Sequence, residues 1–175
     1  YDICPGNLPL NYFAEKLGKE YDSDGEFARN GSLNEPLLAK LNSLAFYSLP
    51  GPKSLGTEWL ETNFMSQIDD AMQAKDAMNT IVEHVSIQIA NDLNSMSAKT
   101  VFITGGGAKN HYLIDRIKVH FGGIVHVPEN QTIDYKEALI FGFLGALYLQ
   151  NQTNSISTVT GADRETIGGV LHLPN

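Results

Sequence analysis

Apolar residues recur along this chain at helical spacing first and at strand spacing later. Leu10, Phe13, Ala14 and Leu17 fall three and four positions apart, which predicts a helix over 8–20 that ends near Gly18. A polar turn at Asp22-Ser23-Asp24-Gly25 follows, then a short helix over 35–46, where Pro36 suits a first turn. Pro50, Gly51, Pro52 and Gly56 break residues 48–58 into an irregular loop. The longest helical signal runs from Asp69 to about Ser95, with Met78, Ile81, Val82, Val85, Ile89 and Leu93 on one stripe. Asp69 and Asp70 are expected at its positive N-terminus.

The period then changes. Thr100 to Thr104 reads as a buried strand, followed by the glycine run Gly105-Gly106-Gly107, a helix from about Asn110 to His120 and a second strand at 124–127. Residues 134–150 form a further helix, nearly all apolar from Ala138 to Leu149, with Gly142 and Gly145 expected to permit close packing. The tail from 151 to 175 is loop-rich, with a short strand expected at 169–173. Strand, loop, helix, strand, helix is the order of an α/β fold, a sheet with packed helices. The strands are few for a free-standing domain, which points to one lobe of a larger protein.

Composition narrows the function classes. The chain has 175 residues, 42% hydrophobic and 18% charged, as an ordinary globular protein has. A net charge of −8 argues against a nucleic-acid partner. An anionic ligand must then be held by backbone amides and local dipoles rather than by a basic field. The single cysteine, Cys4, excludes a disulfide framework and suggests a reducing compartment. No apolar run approaches membrane-spanning length, so no membrane partner is expected. The first residue is Tyr1, not Met, from which the chain is expected to be part of something longer.

The candidate chemistry begins at the glycine run. A strand that ends in three glycines and enters a helix lets a ligand lie against bare backbone at the helix's positive end. No Gly-Lys-Ser/Thr follows, so it is not a Walker loop, and Asn110 stands where a Rossmann third glycine should be. A tight structural turn without ligand is the other reading. Asp22 to Gly25 does not fit a calcium loop, whose bidentate glutamate would fall at Gly31. A solvated turn or a cap for a helix at 26–30 remains. The five histidines (84, 111, 120, 126, 172) show no metal-ligand spacing, so no metal site is assigned to protein side chains. Lys53-Ser54 in its Gly/Pro loop could meet an anion, though a lone lysine in such a loop is expected to be solvated. Asp2 reads as a capping carboxylate, and Glu137 as a favourable charge in a helix's first turn.

Seven ordered segments change that picture. Asp2-x-x-Pro5-Gly6-Asn7, Leu10-Asn11, and Tyr21 to Gly25 with Ala28 and Gly31 come first. Gly51-Pro52-Lys53-Ser54-x-Gly56-x-Glu58-Trp59, Gly105-Gly106-Gly107-Ala108-x-Asn110, Lys136-Glu137-Ala138 with Phe141, and Val159 to Ala162 follow. Together they resemble the anhydro-N-acetylmuramic acid kinase family, of the hexokinase/actin-like superfamily, from residue 1 to the end. The resemblance implies the C-terminal, nucleotide-side lobe of an actin-like sugar kinase fold, with ATP and Mg²⁺ as cofactors and a cytoplasmic enzyme of cell-wall recycling. It implies Asp2 as general base, Glu137 and Asn7 on the sugar side, and Gly105, Gly106, Gly107, Ala108 and Asn110 on the nucleotide side.

Two departures stand beside it. Ile3-Cys4 replaces the Thr/Cys-Gly common after the aspartate. The family's Gly-Thr-Ser-x-Asp-Gly and Asn-x-Gly-Gly segments are absent, so an N-terminal lobe is the expected missing partner and the fragment alone is expected to be inactive. A binding fragment without chemistry and a superfamily kinase for another sugar are the alternatives. The apolar helix over 138–149 also predicts self-association, as a homodimer.

Overall fold

In the computed structural model, which describes residues 1–172, the chain divides into two compact units, Tyr1–Pro128 and the residues from Glu129 onward. The fold is mixed α/β and mainly helical. The first unit carries helices α1 (Leu8–Lys16), α2 (Glu26–Arg29), α3 (Glu35–Asn42), α4 (Thr57–Trp59), α5 (Ala74–Ser95) and α6 (His111–His120), with strands β1 (Thr100–Phe102) and β2 (Ile124–His126).

The helix α5 is the axis of this unit, and α1, α2, α3 and α6 all pack against it. A stripe of apolar residues would cover one side only. Yet α5 is buried on all sides through its middle turns, with Asn79, Thr80, Glu83, His84, Ser86 and Gln88 inside along with Met78, Ile81 and Val82. Buried polar groups must find partners, and these do. Asn79 donates to the Ala28 carbonyl at 2.9 Å, Thr80 Oγ1 accepts from Asn34 N–H at 3.0 Å, and Gln88 donates to Asn42 Oδ1 at 2.9 Å. The polar positions therefore specify which helix lies against which.

Glu83 joins α5 to α6. Its carboxylate takes a fork from Arg116, Nε at 2.6 Å and Nη2 at 2.9 Å, and lies 2.8 Å from His120 Nε2. Burial pushes the Glu83 carboxyl up, but the Arg116 and His120 hydrogen bonds outweigh it and hold the group below its ordinary range. Glu83→Ala is expected to cost about 3 kcal/mol, the low end for breaking a buried pair, because the Arg116 side chain stays 30% exposed. Urea unfolding of the variant measures it.

The strands pair in parallel, Thr100 with Ile124, Val101 with Val125 and Phe102 with His126, and α6 is the crossover that parallel pairing requires. The expected buried strand is corrected in two ways. It is three residues long, and only its middle residue turns to the core, with Phe102 61% exposed. With β2 as its one hydrogen-bonded neighbour among the described residues, β1 keeps the half-buried alternation of an edge.

The long helix also starts later than its acidic dipeptide suggested, at Ala74 after Gln73. Asp69 is consumed by a turn of its own, accepting from Ala71 N–H at 2.9 Å, and Asp70 pairs with Lys16 at 3.8 Å. A short carboxylate that bonds its own backbone two residues on favours a turn over helix. Asp76 supplies the first-turn charge instead. Of the two readings of Asp22, the cap holds. Its carboxylate accepts from Phe27 N–H at 2.8 Å and Ala28 N–H at 3.0 Å, starting α2.

The second unit consists of α7 (Asn130–Leu149), α8 (Ser157–Thr160) and a tail. Asn154 fastens the tail to the helix, donating to the carbonyls of Leu144 at 3.2 Å and Gly168 at 3.0 Å and accepting from Gly168 N–H at 2.7 Å. Leu139, Phe141, Phe143 and Leu149 are exposed on α7. Gly142 and Gly145 have nothing within 4 Å of where a Cβ would stand, so the close packing expected of them does not occur among the described residues. The strand expected at 169–173 is absent over 169–172, and residue 173 lies outside the described residues. Among the described residues antiparallel pairing is confined to one bridge between Ser155 and Thr166, so none of them pairs as far as 169. Among the described residues no helix is long and apolar enough to cross a membrane.

Candidate functional site

The site is built on the loop between α3 and α4, the segment before α1, and the turn between β1 and α6. Lys53 organises the first. Its Nζ donates to the carbonyls of Phe46 at 3.0 Å and Leu49 at 3.3 Å and sits 4.6 Å from the centroid of the Phe46 ring. The expectation of a solvated lysine is therefore corrected: two loop carbonyls offer the ammonium a seat, that of Phe46 while also accepting from Leu49 N–H at 3.2 Å. Closed in this way, the loop presents three polar groups to Asp2. Asp2 N–H donates to the Lys53 carbonyl at 2.9 Å, while Leu55 N–H at 2.7 Å and Ser54 Oγ–H at 3.1 Å donate to Asp2 Oδ2.

Asp2 is exposed, yet it is held from three directions. The Leu55 N–H first, then the Ser54 hydroxyl, keep its carboxyl below the usual carboxylate range. Both of these bonds land on Oδ2, and among the described residues none is made to Oδ1. Such a carboxylate is ionised at neutral pH and has one oxygen available to take a proton. It does not cap a helix, contrary to the reading from sequence alone.

Five positions along the same segment, Asn7 stands at the start of α1. Its side-chain amide lies along the bare backbone of the glycine turn. A Cβ on Gly106 would stand 3.3 Å from Asn7 Nδ2, and one on Gly107 would stand 3.7 Å from Asn7 Oδ1. One short stretch of chain thus connects the held carboxylate with the glycine turn.

The turn itself is not an open loop. Gly105 adopts φ +84°, a conformation that strains other residues, and Gly106–Lys109 then wind into a single 3₁₀ turn. Among the described residues a Cβ on Gly105 would meet nothing within 4 Å, so the backbone there is open. Ala108 and Asn110 point inward. Ala108 is buried, and Asn110 Oδ1 accepts from Leu113 N–H at 2.9 Å, capping α6. A ligand at this turn would meet the backbone of Gly105, Gly106 and Gly107. Ala108 and Asn110 shape the turn from behind. Asn110→Ala is expected to cost about 1 kcal/mol through the lost cap, read as a lower urea midpoint with unchanged slope.

Glu137 belongs to the second unit. It lies on α7, exposed, in the third turn rather than the first, because the helix begins at Asn130. Among the described residues no group of three His, Cys, Asp or Glu side chains is placed to hold a metal ion.

The first unit is thus a mainly helical α/β lobe with a glycine turn between a strand and a capped helix, and an ionised carboxylate on the segment whose Asn7 reaches that turn. Residues 1–174 match the family described as anhydro-N-acetylmuramic acid kinase, and the chain belongs to that family. Similar proteins of that name include one from Saccharophagus degradans, 33% identical over 184 residues covering 99% of this chain and 49% of the relative. Others are from Coxiella burnetii (31% over 180 residues, 98% and 48%) and Sulfurovum sp. (33% over 177 residues, 97% and 49%). The chain spans about half the length of the curated relatives it matches.

Sequence reasoning missed Ser54 and Leu55 as the groups that hold Asp2. They lie 52 and 53 positions away, joined to Asp2 by no periodicity or spacing rule. The Gly/Pro loop was the one visible signal.

Proposed function

We propose that this chain is the C-terminal half of a cytoplasmic kinase that converts 1,6-anhydro-N-acetylmuramic acid, ATP and water into N-acetylmuramic acid 6-phosphate and ADP. The observation that carries this reading is the Asp2 carboxylate, ionised and fixed by Ser54 and Leu55, on the same segment as Asn7 at the glycine turn. The Asp2 Oδ1 takes a proton from water as the water oxygen bonds to the anhydro carbon. The bond from that carbon to O6 breaks, and O6 bonds to the γ-phosphorus as ADP leaves.

Water is a poor nucleophile, and a positioned base contributes about 10²–10⁴-fold. Phosphoryl transfer needs positioning and charge neutralisation more than covalent help. Backbone N–H groups at Gly105 to Gly107 and the positive end of α6 can supply part of that without a basic surface, in keeping with the net charge of −8. Asn7 and Glu137 are proposed to contact the sugar. Mg²⁺ is proposed as the nucleotide's counter-ion, carried on phosphate oxygens, with no protein ligand assigned to it. The family membership and the half-length match together favour an N-terminal half that completes the cleft.

A sugar panel tests the substrate. The full-length protein is expected to release ADP with the anhydrosugar and not with a plain hexose. Equal turnover of glucose would overturn the ring-opening reading.

A further inference from the structure

Asp2 lies in an exposed segment ahead of α1, where a carboxylate on its own would sample several rotamers. The loop from Phe46 to Leu55 prevents this. Tyr47 anchors the loop to the core through its hydrogen bond of 2.7 Å to the buried His84, and Lys53 ties the carbonyls of Phe46 and Leu49 together. The loop then meets Asp2 through the Lys53 carbonyl, the Ser54 hydroxyl and the Leu55 N–H. Of these three contacts, only Ser54 uses a side chain. We propose, resting on the reading of Asp2 as the general base, that Ser54 is a positioning residue for that base. Its hydroxyl fixes Oδ2 so that Oδ1 is presented to the reacting water.

The charged groups around this carboxylate are few. Lys53 faces it from the loop, with its ammonium turned away onto the Phe46 and Leu49 carbonyls. The Tyr1 phenol is engaged with Asp92, at 2.9 Å from each carboxylate oxygen. No cationic side chain is hydrogen-bonded to Asp2 among the described residues, so the Ser54 hydroxyl bears directly on both its orientation and its proton affinity. The Ser54 bond favours the ionised form, and its loss would raise the pH at which Asp2 takes up a proton.

The test is the pH profile of the full-length kinase carrying Ser54→Ala, Ser54→Thr or Asp2→Asn. Ser54→Ala is expected to lower kcat by about tenfold, the value of one hydrogen bond to a charged group, with KM for ATP unchanged. The acid limb of kcat/KM should move to higher pH, and Ser54→Thr, which keeps the hydroxyl, should restore both. A Ser54→Ala enzyme with wild-type kcat and an unmoved acid limb, alongside an inactive Asp2→Asn enzyme, would overturn the role of Ser54 and leave the general base standing. Wild-type activity in Asp2→Asn would overturn both.

Discussion

Asp2→Asn in the full-length kinase is expected to lower kcat by about 10²–10⁴-fold, the range a general base contributes, while KM for ATP changes little. The substitution is nearly isosteric. An asparagine Oδ1 can still accept from Leu55 N–H and Ser54 Oγ–H, so the loop that holds position 2 keeps its geometry. What is lost is the proton acceptor, since an amide presents an oxygen of negligible basicity and an NH₂ group. The split between kcat and KM matters because Asp2 is proposed to act on water, whereas the nucleotide is proposed to lie at Gly105 to Gly107. A comparable rise in KM for ATP with kcat unchanged would place Asp2 in nucleotide binding instead. Steady-state kinetics at saturating anhydrosugar, read through ADP release, separates the two.

The first unit should also lose stability in mild acid, through His84. This residue is fully buried on α5 between Tyr47 and Asn42. Asn42 Oδ1 also accepts from Gln88, so it is an acceptor, and His84 Nδ1 carries the ring proton while Nε2 accepts from the Tyr47 hydroxyl. Burial pushes His84 down to about 3 from an ordinary 6.5, so the folded ring is neutral. Between those values the unfolded chain binds a proton that the folded chain does not. Stability is therefore complete above about pH 6.5 and falls by about 1.4 kcal/mol per pH unit below it. At pH 5 the unit should be about 2 kcal/mol less stable than at pH 7. Glu83, held below its ordinary range, adds its own loss only at lower pH, as the medium approaches the carboxylate range. Urea midpoints at pH 7 and 5 measure the His84 effect, and His84→Gln should flatten the dependence even though it lowers stability overall. Equal wild-type midpoints at the two pH values would contradict a neutral buried His84.

These two residues show what can be read from the chain alone and what cannot. The helices α1 and α5 were legible from apolar residues at helical spacing and α7 from its long apolar run, while Asn110 marked the start of α6 within a residue. The Asp22 cap was visible as one of two options. Burial was less legible than helicity. The apolar stripe of α5 predicted a one-sided helix, yet His84, Asn79 and Glu83 are inside because α2, α3 and α6 supply partners that no local pattern announces. Thr100 to Thr104 looked like a buried strand because an apolar run does not state how many neighbours it will have. Asp69 and Asp70 looked like helix-start charges because their competing turn differs only in where one side chain bonds.

The candidate site divides in the same way. Gly105 to Gly107 announced a bare backbone, and the resemblance singled out Asp2 and Asn7. That Asn7 lies along Gly106 and Gly107, that Ala108 and Asn110 face inward, and that Ser54 grips Asp2 are consequences of tertiary closure. Lys53 was misjudged for the same reason: its partners are carbonyls, which every residue has, and only the folded loop shows which of them lie within its reach.

The most direct measurement is the mass of the product formed by the full-length protein from 1,6-anhydro-N-acetylmuramic acid, ATP and Mg²⁺. A water-activating Asp2 predicts a sugar heavier by one HPO₃ and one H₂O, formed in equal amount with ADP. A product heavier by HPO₃ alone, or ADP formed without any change in the sugar, would contradict it.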